Sequence, residues 1–224
     1  MSPISGIVFD LDGTLVDSRA DIARATNLAL RMHGLAERSV DEISTFVGDG
    51  ARALVERAAP RLSTGAIDEL LGTFLRVYTE NPLIETQLMP GAGQAMARLA
   101  ALLQGVCTNK PRQTTLVVLD RLGISDRFSA VVAGGDVSRR KPDAMPLLAV
   151  AEQLGVPAAE LVMVGDGPQD MDCARAAGSR SVAVLGGFAT PAELTAARPH
   201  AIIESLYELP ELIERWLEAT PPRD

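Results

Sequence analysis

The chain is poor in the residues that mark several common protein classes. Its 224 residues include two cysteines, two histidines and one tryptophan, and aromatics make up 4%. Cys107 and Cys173 are too few for a disulfide framework. Both sit in apolar or helical surroundings, which reads as buried thiols in a reducing, cytoplasmic setting. His33 and His200 are isolated, one in a helical stretch and one in a loop before a strand, and no paired cysteines join them to propose zinc. Dense basic blocks are missing too. The 29 acidic residues outnumber the 21 basic ones and the formal charge is -8, a balance that argues against a nucleic-acid surface. Arg139-Arg140-Lys141 is the one short basic run. The N-terminus has neither a basic flank nor a long apolar segment, so no secretory signal and no membrane span are expected.

What the chain does have is apolar residue, 47% of the total, enough to bury a sizeable core. Short apolar runs recur at Ile4 to Phe9, Gly105 to Cys107, Ala130 to Ala133, Leu161 to Val164, Ser181 to Leu185 and Ala201 to Ile203. Helical patterns lie between them: Ala92 to Leu103, Gln113 to Leu122, Met145 to Leu154 and Gln169 to Ala177, with Glu211 to Glu218 as a closing helix and a loose tail, "TPPRD". Continuous apolar strands alternating with amphipathic helices predict an α/β fold, a Rossmann-like parallel sheet covered on both faces. Gly123, Gly155 and Gly178 each follow a helical stretch and suit left-handed caps. The stretch from Asp17 to Met89 breaks the rhythm. It reads as four helices (Asp21 to Met32, Val40 to Thr45, Gly50 to Ala59, Ala66 to Tyr78) with no strand between them. The expected division is therefore a core of residues 1–16 and 90–224 and an inserted helical cap of residues 17–89, able to tilt on its two connections.

The chemistry-bearing residues gather at strand exits. In "GIVFDLDGTLVDS", Asp10 and Asp12 stand two apart, so in extended backbone they point the same way. Ligands of open α/β sheets bind beyond the C-terminal edge of the strands, and a solvated loop is the plainer alternative. Gly13 permits a sharp turn and Thr14 adds a hydroxyl. "CTNK" places Thr108, Asn109 and Lys110 after the second core strand, "RRKPD" places Lys141 after the next, and "VMVGDGPQD" places Asp166 and Asp170 after the fourth. Asp10, Asp12 and Asp166 supply hard oxygen ligands or acid–base groups, able to hold a hydrated Mg²⁺. Thr108, Asn109 and Lys141 supply donors and positive charge for phosphate oxygens.

Taken together these motifs resemble the haloacid dehalogenase superfamily in its phosphatase branch, over nearly the whole chain. "DLDGTLVDS" is similar to its first motif, Thr108 to the second, Lys141 to the third, and Gly165-Asp166 with Asp170 to the fourth. The insert is similar to its mobile cap. "FVGDGARALVERA", Tyr78, Asn81 and "TNKP" further resemble the bacterial phosphoglycolate phosphatase group. The resemblance implies a nucleophile at Asp10 and an acid–base group at Asp12. It implies Mg²⁺ held by Asp10, Asp166 and the backbone carbonyl of Asp12, with Asp170 orienting the metal's surroundings. Phosphate would be bound by Thr108, Asn109, Lys141 and the Gly13 amide. Arg52, after Gly50 in the cap segment, is a candidate contact for a substrate carboxylate. The implied reaction is hydrolysis of a small phosphorylated metabolite, 2-phosphoglycolate foremost, with a sugar-phosphate phosphatase, a phosphosugar mutase or a phosphate-binding regulatory module without turnover as alternatives. The branch that cleaves carbon–phosphorus bonds uses a cap lysine, and residues 17–89 contain none. Asp49, between the cap glycines, departs from the group's usual asparagine. A carboxylate there would repel an anionic substrate unless paired or turned away.

Overall fold

The computed structural model describes residues 3–219, so the expected loose tail at 220–224 lies outside the described residues. In chain order the strands are β1 (Gly6–Phe9), β2 (Val16–Asp17), β3 (Gln87–Leu88), β4 (Leu103–Pro111), β5 (Ala130–Gly134), β6 (Leu161–Gly165), β7 (Arg180–Val184) and β8 (Ala201–Ile203). The helices of the insert are α1 (Arg19–Met32), α2 (Val40–Ser44), α3 (Gly50–Ala58) and α4 (Thr64–Glu80); those after it are α5 (Ala92–Arg98), α6 (Arg112–Arg121), α7 (Met145–Leu154), α8 (Pro168–Ala177), α9 (Pro191–Ala196) and α10 (Leu209–Glu218).

Six strands form one parallel sheet in the order β5-β4-β1-β6-β7-β8. The apolar runs explain it. Alternate side chains of a strand point to opposite faces, so a strand buried on both faces must be apolar throughout. Ile7 and Phe9 pack on one face with Val106, Val162 and helices α5, α6 and α10, while Val8 packs on the other with Cys107, Met163 and helices α7 and α8. Each such side chain contributes about 1.5–3 kcal/mol on full burial. Central β1 pairs with β4 and β6, Gly6 standing opposite both Leu103 and Leu161. Chain order reverses at β1, which opens the crevice at its carboxyl end.

Besides the short strands β2 and β3, which the sequence reading does not contain, three elements differ from it. Helix α5 stops at Arg98 rather than Leu103, because Leu103 is already paired in the sheet. Strand β4 runs on past Cys107 to Pro111, carrying Thr108, Asn109 and Lys110 inside it. Helix α9 was not expected. Its signal is a reciprocal cap, in which Thr190 Oγ1 accepts from the Glu193 amide (3.3 Å) and the Glu193 carboxylate accepts from the Thr190 amide (2.8 Å).

The insert has a core of its own, in which Ile22, Leu30, Ile43, Leu54, Leu70, Phe74 and Tyr78 are buried together. At its base β2 pairs antiparallel with β3, and the Met89 amide donates to the Leu15 carbonyl at 2.9 Å. A buried carboxylate reinforces this junction. Asp21 Oδ2 accepts from the amides of Ile84, Glu85 and Thr86 at 2.9, 2.9 and 2.8 Å and from the Thr86 hydroxyl at 2.7 Å. Burial opposes the charge, but the Thr86, Glu85 and Ile84 hydrogen bonds outweigh it and hold the Asp21 carboxyl below the usual carboxylate range. No helix among the described residues is long and apolar enough to cross a membrane.

Candidate active site

Strands β4, β1 and β6 lie side by side, so residues just beyond their carboxyl ends share one edge. Asp10, directly after β1, is buried. Its Oδ1 accepts from the Leu11 amide at 2.7 Å and stands 2.9 Å from Lys141 Nζ. Lys141 Nζ also donates to Asp170 Oδ1 at 2.6 Å and to the Cys107 carbonyl at 2.7 Å. Burial disfavours its charge, but Asp10 and Asp170 outweigh that and raise the lysine's pKa. Asp166, directly after β6, accepts from the Thr14 hydroxyl at 3.0 Å and from the Phe188 amide at 2.7 Å. Asp170, in the first turn of α8, accepts from the Gly167 amide at 3.0 Å. Each of Asp10, Asp166 and Asp170 offers an oxygen within 4.8 Å of the other two. The crowding is costly. Burial, then the charges of Asp10 and Asp170, push Asp166 up to about 8. Burial raises Asp170 to about 7, with Lys141 pulling down and Asp10 pushing up.

The turn after β1 needs glycine at position 13. Its φ is +81°, and a Cβ there would fall 2.2 Å from Asp166 Oδ2 and 2.6 Å from the Phe188 ring. Asp12, one residue before, is gripped from two sides. Its Oδ1 accepts from Ser18 Oγ at 2.7 Å, and Lys110 Nζ reaches Oδ1 at 2.8 Å and Oδ2 at 3.0 Å.

A model of the haloacid dehalogenase-like hydrolases matches residues 7–184. The chain belongs to this family. A phosphoglycolate phosphatase of Chromobacterium violaceum is 37% identical over 214 residues, covering 92% of this chain and 96% of that protein. One of Cereibacter sphaeroides is 37% identical over 221 residues, covering 95% and 99%. The crystal structure of a predicted phosphoglycolate phosphatase from Haemophilus somnus superposes with a TM-score of 0.89 at 26% identity, covering 95% of this chain and 99% of that one.

In this haloacid dehalogenase-like hydrolase the sheet-edge carboxylates form a phosphatase-type reaction centre. Three buried hard oxygen donors face one ammonium, so the cluster carries more negative than positive groups. This donor set fits Mg²⁺. Thr108 and Asn109 stand beside it at the end of β4. Asn109 braces the Lys141 backbone, accepting from its amide at 3.0 Å and donating to its carbonyl at 3.1 Å, and it also donates to the cap's Gly48 carbonyl at 2.9 Å. Thr14 ties the first loop to Asp166 through its hydroxyl.

The cleft between core and cap has a volume of about 520 Å³; Asp10, Asp12, Thr108, Asn109 and Asp166 line it from the core. Lys141 and Asp170 are buried beside Asp10 without lining the cleft themselves, and two other candidates from the sequence stand apart from it. The Gly13 amide donates to the Val16 carbonyl at 2.8 Å, inside its own turn. Arg52 points to Asp68 and Glu56 on the exposed side of the cap and does not reach the cleft. Arg57 does reach it. Its guanidinium pairs with Asp49 and donates to the Phe46 carbonyl at 3.0 Å, so the unexpected carboxylate between the cap glycines is paired. The sequence alone gives Lys110 no role, and it marks Tyr78 only as one of the residues that resemble the phosphoglycolate phosphatase group. One signal was available. Among 21 basic residues the chain has only two lysines, Lys110 and Lys141, and both side chains are 1% exposed in this centre.

Proposed function

We propose that this protein hydrolyses 2-phosphoglycolate to glycolate and phosphate through a phosphoryl group carried on Asp10. The observation that carries the chemistry is the buried triad of Asp10, Asp166 and Asp170, with Lys141 Nζ 2.9 Å from Asp10, opening on a cleft roofed by the insert. The substrate is supported by near full-length relatives that bear the name phosphoglycolate phosphatase and by Arg57 in the cleft.

In this reading Leu11 and Lys141 hold Asp10 Oδ1, which leaves Oδ2 to attack phosphorus. As the bond from phosphorus to the substrate oxygen breaks, Asp12 gives that oxygen a proton. Asp12 then takes a proton from water, the water oxygen attacks the phosphoryl group, and the bond to Asp10 breaks to release phosphate. Thr108 and Lys141 hold the phosphate oxygens, and Asn109 keeps Lys141 in place. Asp10, Asp166 and the Asp12 carbonyl, with Asp170 beside them, would hold Mg²⁺, which would supply positive charge to offset repulsion between carboxylate and phosphate. Residues 17–89 act as the cap, closing on the joints at β2 and β3 to limit water. Arg57 offers the substrate carboxylate a guanidinium.

The cleft is roomy for so small a substrate, and a sugar phosphate is therefore the competing reading. A panel of phosphorylated metabolites assayed with Mg²⁺ decides between them. The expected result is a kcat/KM for 2-phosphoglycolate at least about tenfold above any sugar phosphate, with turnover lost on chelation and restored by Mg²⁺. A clear preference for a sugar phosphate overturns the substrate; turnover indifferent to chelation overturns the metal.

A further inference from the structure

Lys110 is the one buried cation of the centre that the steps above do not use. Its Nζ meets both oxygens of Asp12, at 2.8 and 3.0 Å, and donates to the Tyr78 hydroxyl at 2.6 Å. The ammonium also stands 4.4 Å from the centroid of the Tyr78 ring. Asp12 and Lys110 belong to the core, whereas Tyr78 lies on α4 of the insert and is itself buried against Phe74. A lysine has rotatable bonds along its whole stem, and a lone ammonium fixes direction poorly. Here the stem is buried and the head has partners from both parts of the molecule. The neighbouring residue repeats the pattern, since Asn109 donates to Gly48 of the insert. The end of strand β4 therefore touches the insert at two consecutive side chains.

We propose that Lys110 and Tyr78 are positioning residues for Asp12: the Tyr78 hydroxyl, delivered by the seated cap, orients the Lys110 ammonium, which in turn aims the Asp12 carboxyl at the leaving oxygen. The proposal rests on the reading of Asp12 as proton donor. It makes the donor's aim depend on the cap, so a substrate that does not let the cap seat meets a misdirected acid. No new bond is made or broken; the proton still passes from Asp12 to the substrate oxygen. A purely structural ion pair predicts something different, a loss of activity that ignores the leaving group.

Leaving-group dependence separates the two. An alkoxide is a strong base and needs the proton as it departs; p-nitrophenolate is a weak base and departs without one. The quantity to compare is kcat/KM, which covers the steps through phosphoryl transfer, on p-nitrophenyl phosphate and on the alkyl phosphate that the wild type hydrolyses best. Using that alkyl phosphate, whichever it is, keeps the test independent of the assignment to 2-phosphoglycolate. Lys110→Met is expected to lose about 100-fold more on the alkyl ester than on the aryl ester. Tyr78→Phe, which removes one hydroxyl from a packed ring, is expected to shift the same ratio about fivefold in the same direction. Asp12→Asn sets the reference and should show the largest ratio. Equal losses on both esters in Lys110→Met and Tyr78→Phe, with Asp12→Asn still discriminating, overturn the proposal. If Lys110→Met does not fold, Tyr78→Phe decides alone by the same criterion. If Asp12→Asn fails to discriminate, the role of Asp12 falls and the proposal falls with it.

Discussion

The core side of the cleft presents Asp10, backed by Asp170 and Lys141; these side chains are 8%, 0% and 1% exposed, each bonded to groups within the core. The cap side presents Asp49 and Arg57, a pair 36% and 42% exposed. Charge buried in a low dielectric acts strongly and is costly to reorganise, which suits groups that must act on one phosphorus atom in one geometry. A wet ion pair is weak, screened and exchangeable, which suits groups that must release one another to take up a ligand. In the proposed reaction the two sides divide the labour between bond-making and selection. Between them stands Lys110, a core lysine with a cap partner.

The division is broken most directly at Asp10. Asp10→Asn is expected to lower turnover on every good phosphomonoester by on the order of 10⁴-fold or more. Its thermal midpoint should hold or rise, because one of three crowded carboxylates has gone. Retained turnover removes the nucleophile assignment, and a collapsed midpoint makes the cluster a structural one. The next largest effect lies at the joint between the two regions. Asp21 accepts four hydrogen bonds from residues 84–86, and Asp21→Asn should cost about 2 kcal/mol of stability at neutral pH. The sign with pH is fixed by the lowered carboxyl. Its contribution is fully present above the unfolded pKa of about 3.9 and is lost as pH falls through the still lower folded value. Denaturant titrations of both proteins should therefore converge in acid; a gap that stays constant to low pH means that the charge of Asp21 is not what ties the joint.

The same contrast explains how much could be read from sequence. In the core, continuous apolar runs fix which residues end a strand, and parallel order brings those ends to one edge. Asp10, Asp166 and Lys141 were therefore legible as a group before any distance was known. Lys110 was visible in "CTNK", but its partners were not, because an ammonium on a long stem can reach several carboxylates. The cap helices were also legible, and α3 ends within a residue of the expected place. Which side of α3 meets the core was not, since that depends on how the whole insert seats on two distant joints. Arg52 and Arg57 illustrate the point. They are five residues apart, which at about 100° per residue is roughly 140° around the helix. A choice between them requires the tilt of the cap, a tertiary quantity with no local signature.

The smallest predicted effects test the exchangeable pair. If Arg57 releases Asp49 to take the substrate carboxylate, Arg57→Gln should raise KM for 2-phosphoglycolate by about tenfold with kcat little changed. Asp49→Asn should act the other way and lower KM about two- to threefold, since the guanidinium no longer has an exposed competitor. Ethyl phosphate has the same reacting end and no carboxylate, so neither variant should move its KM by more than a small fraction of that. Opposite shifts confined to the carboxylated substrate are the outcome expected if Arg57 takes the ligand's carboxylate and Asp49 opposes it. Parallel shifts on both substrates would mean instead that the pair merely holds the cap loop in shape, and the cap side would then share the fixed character of the core.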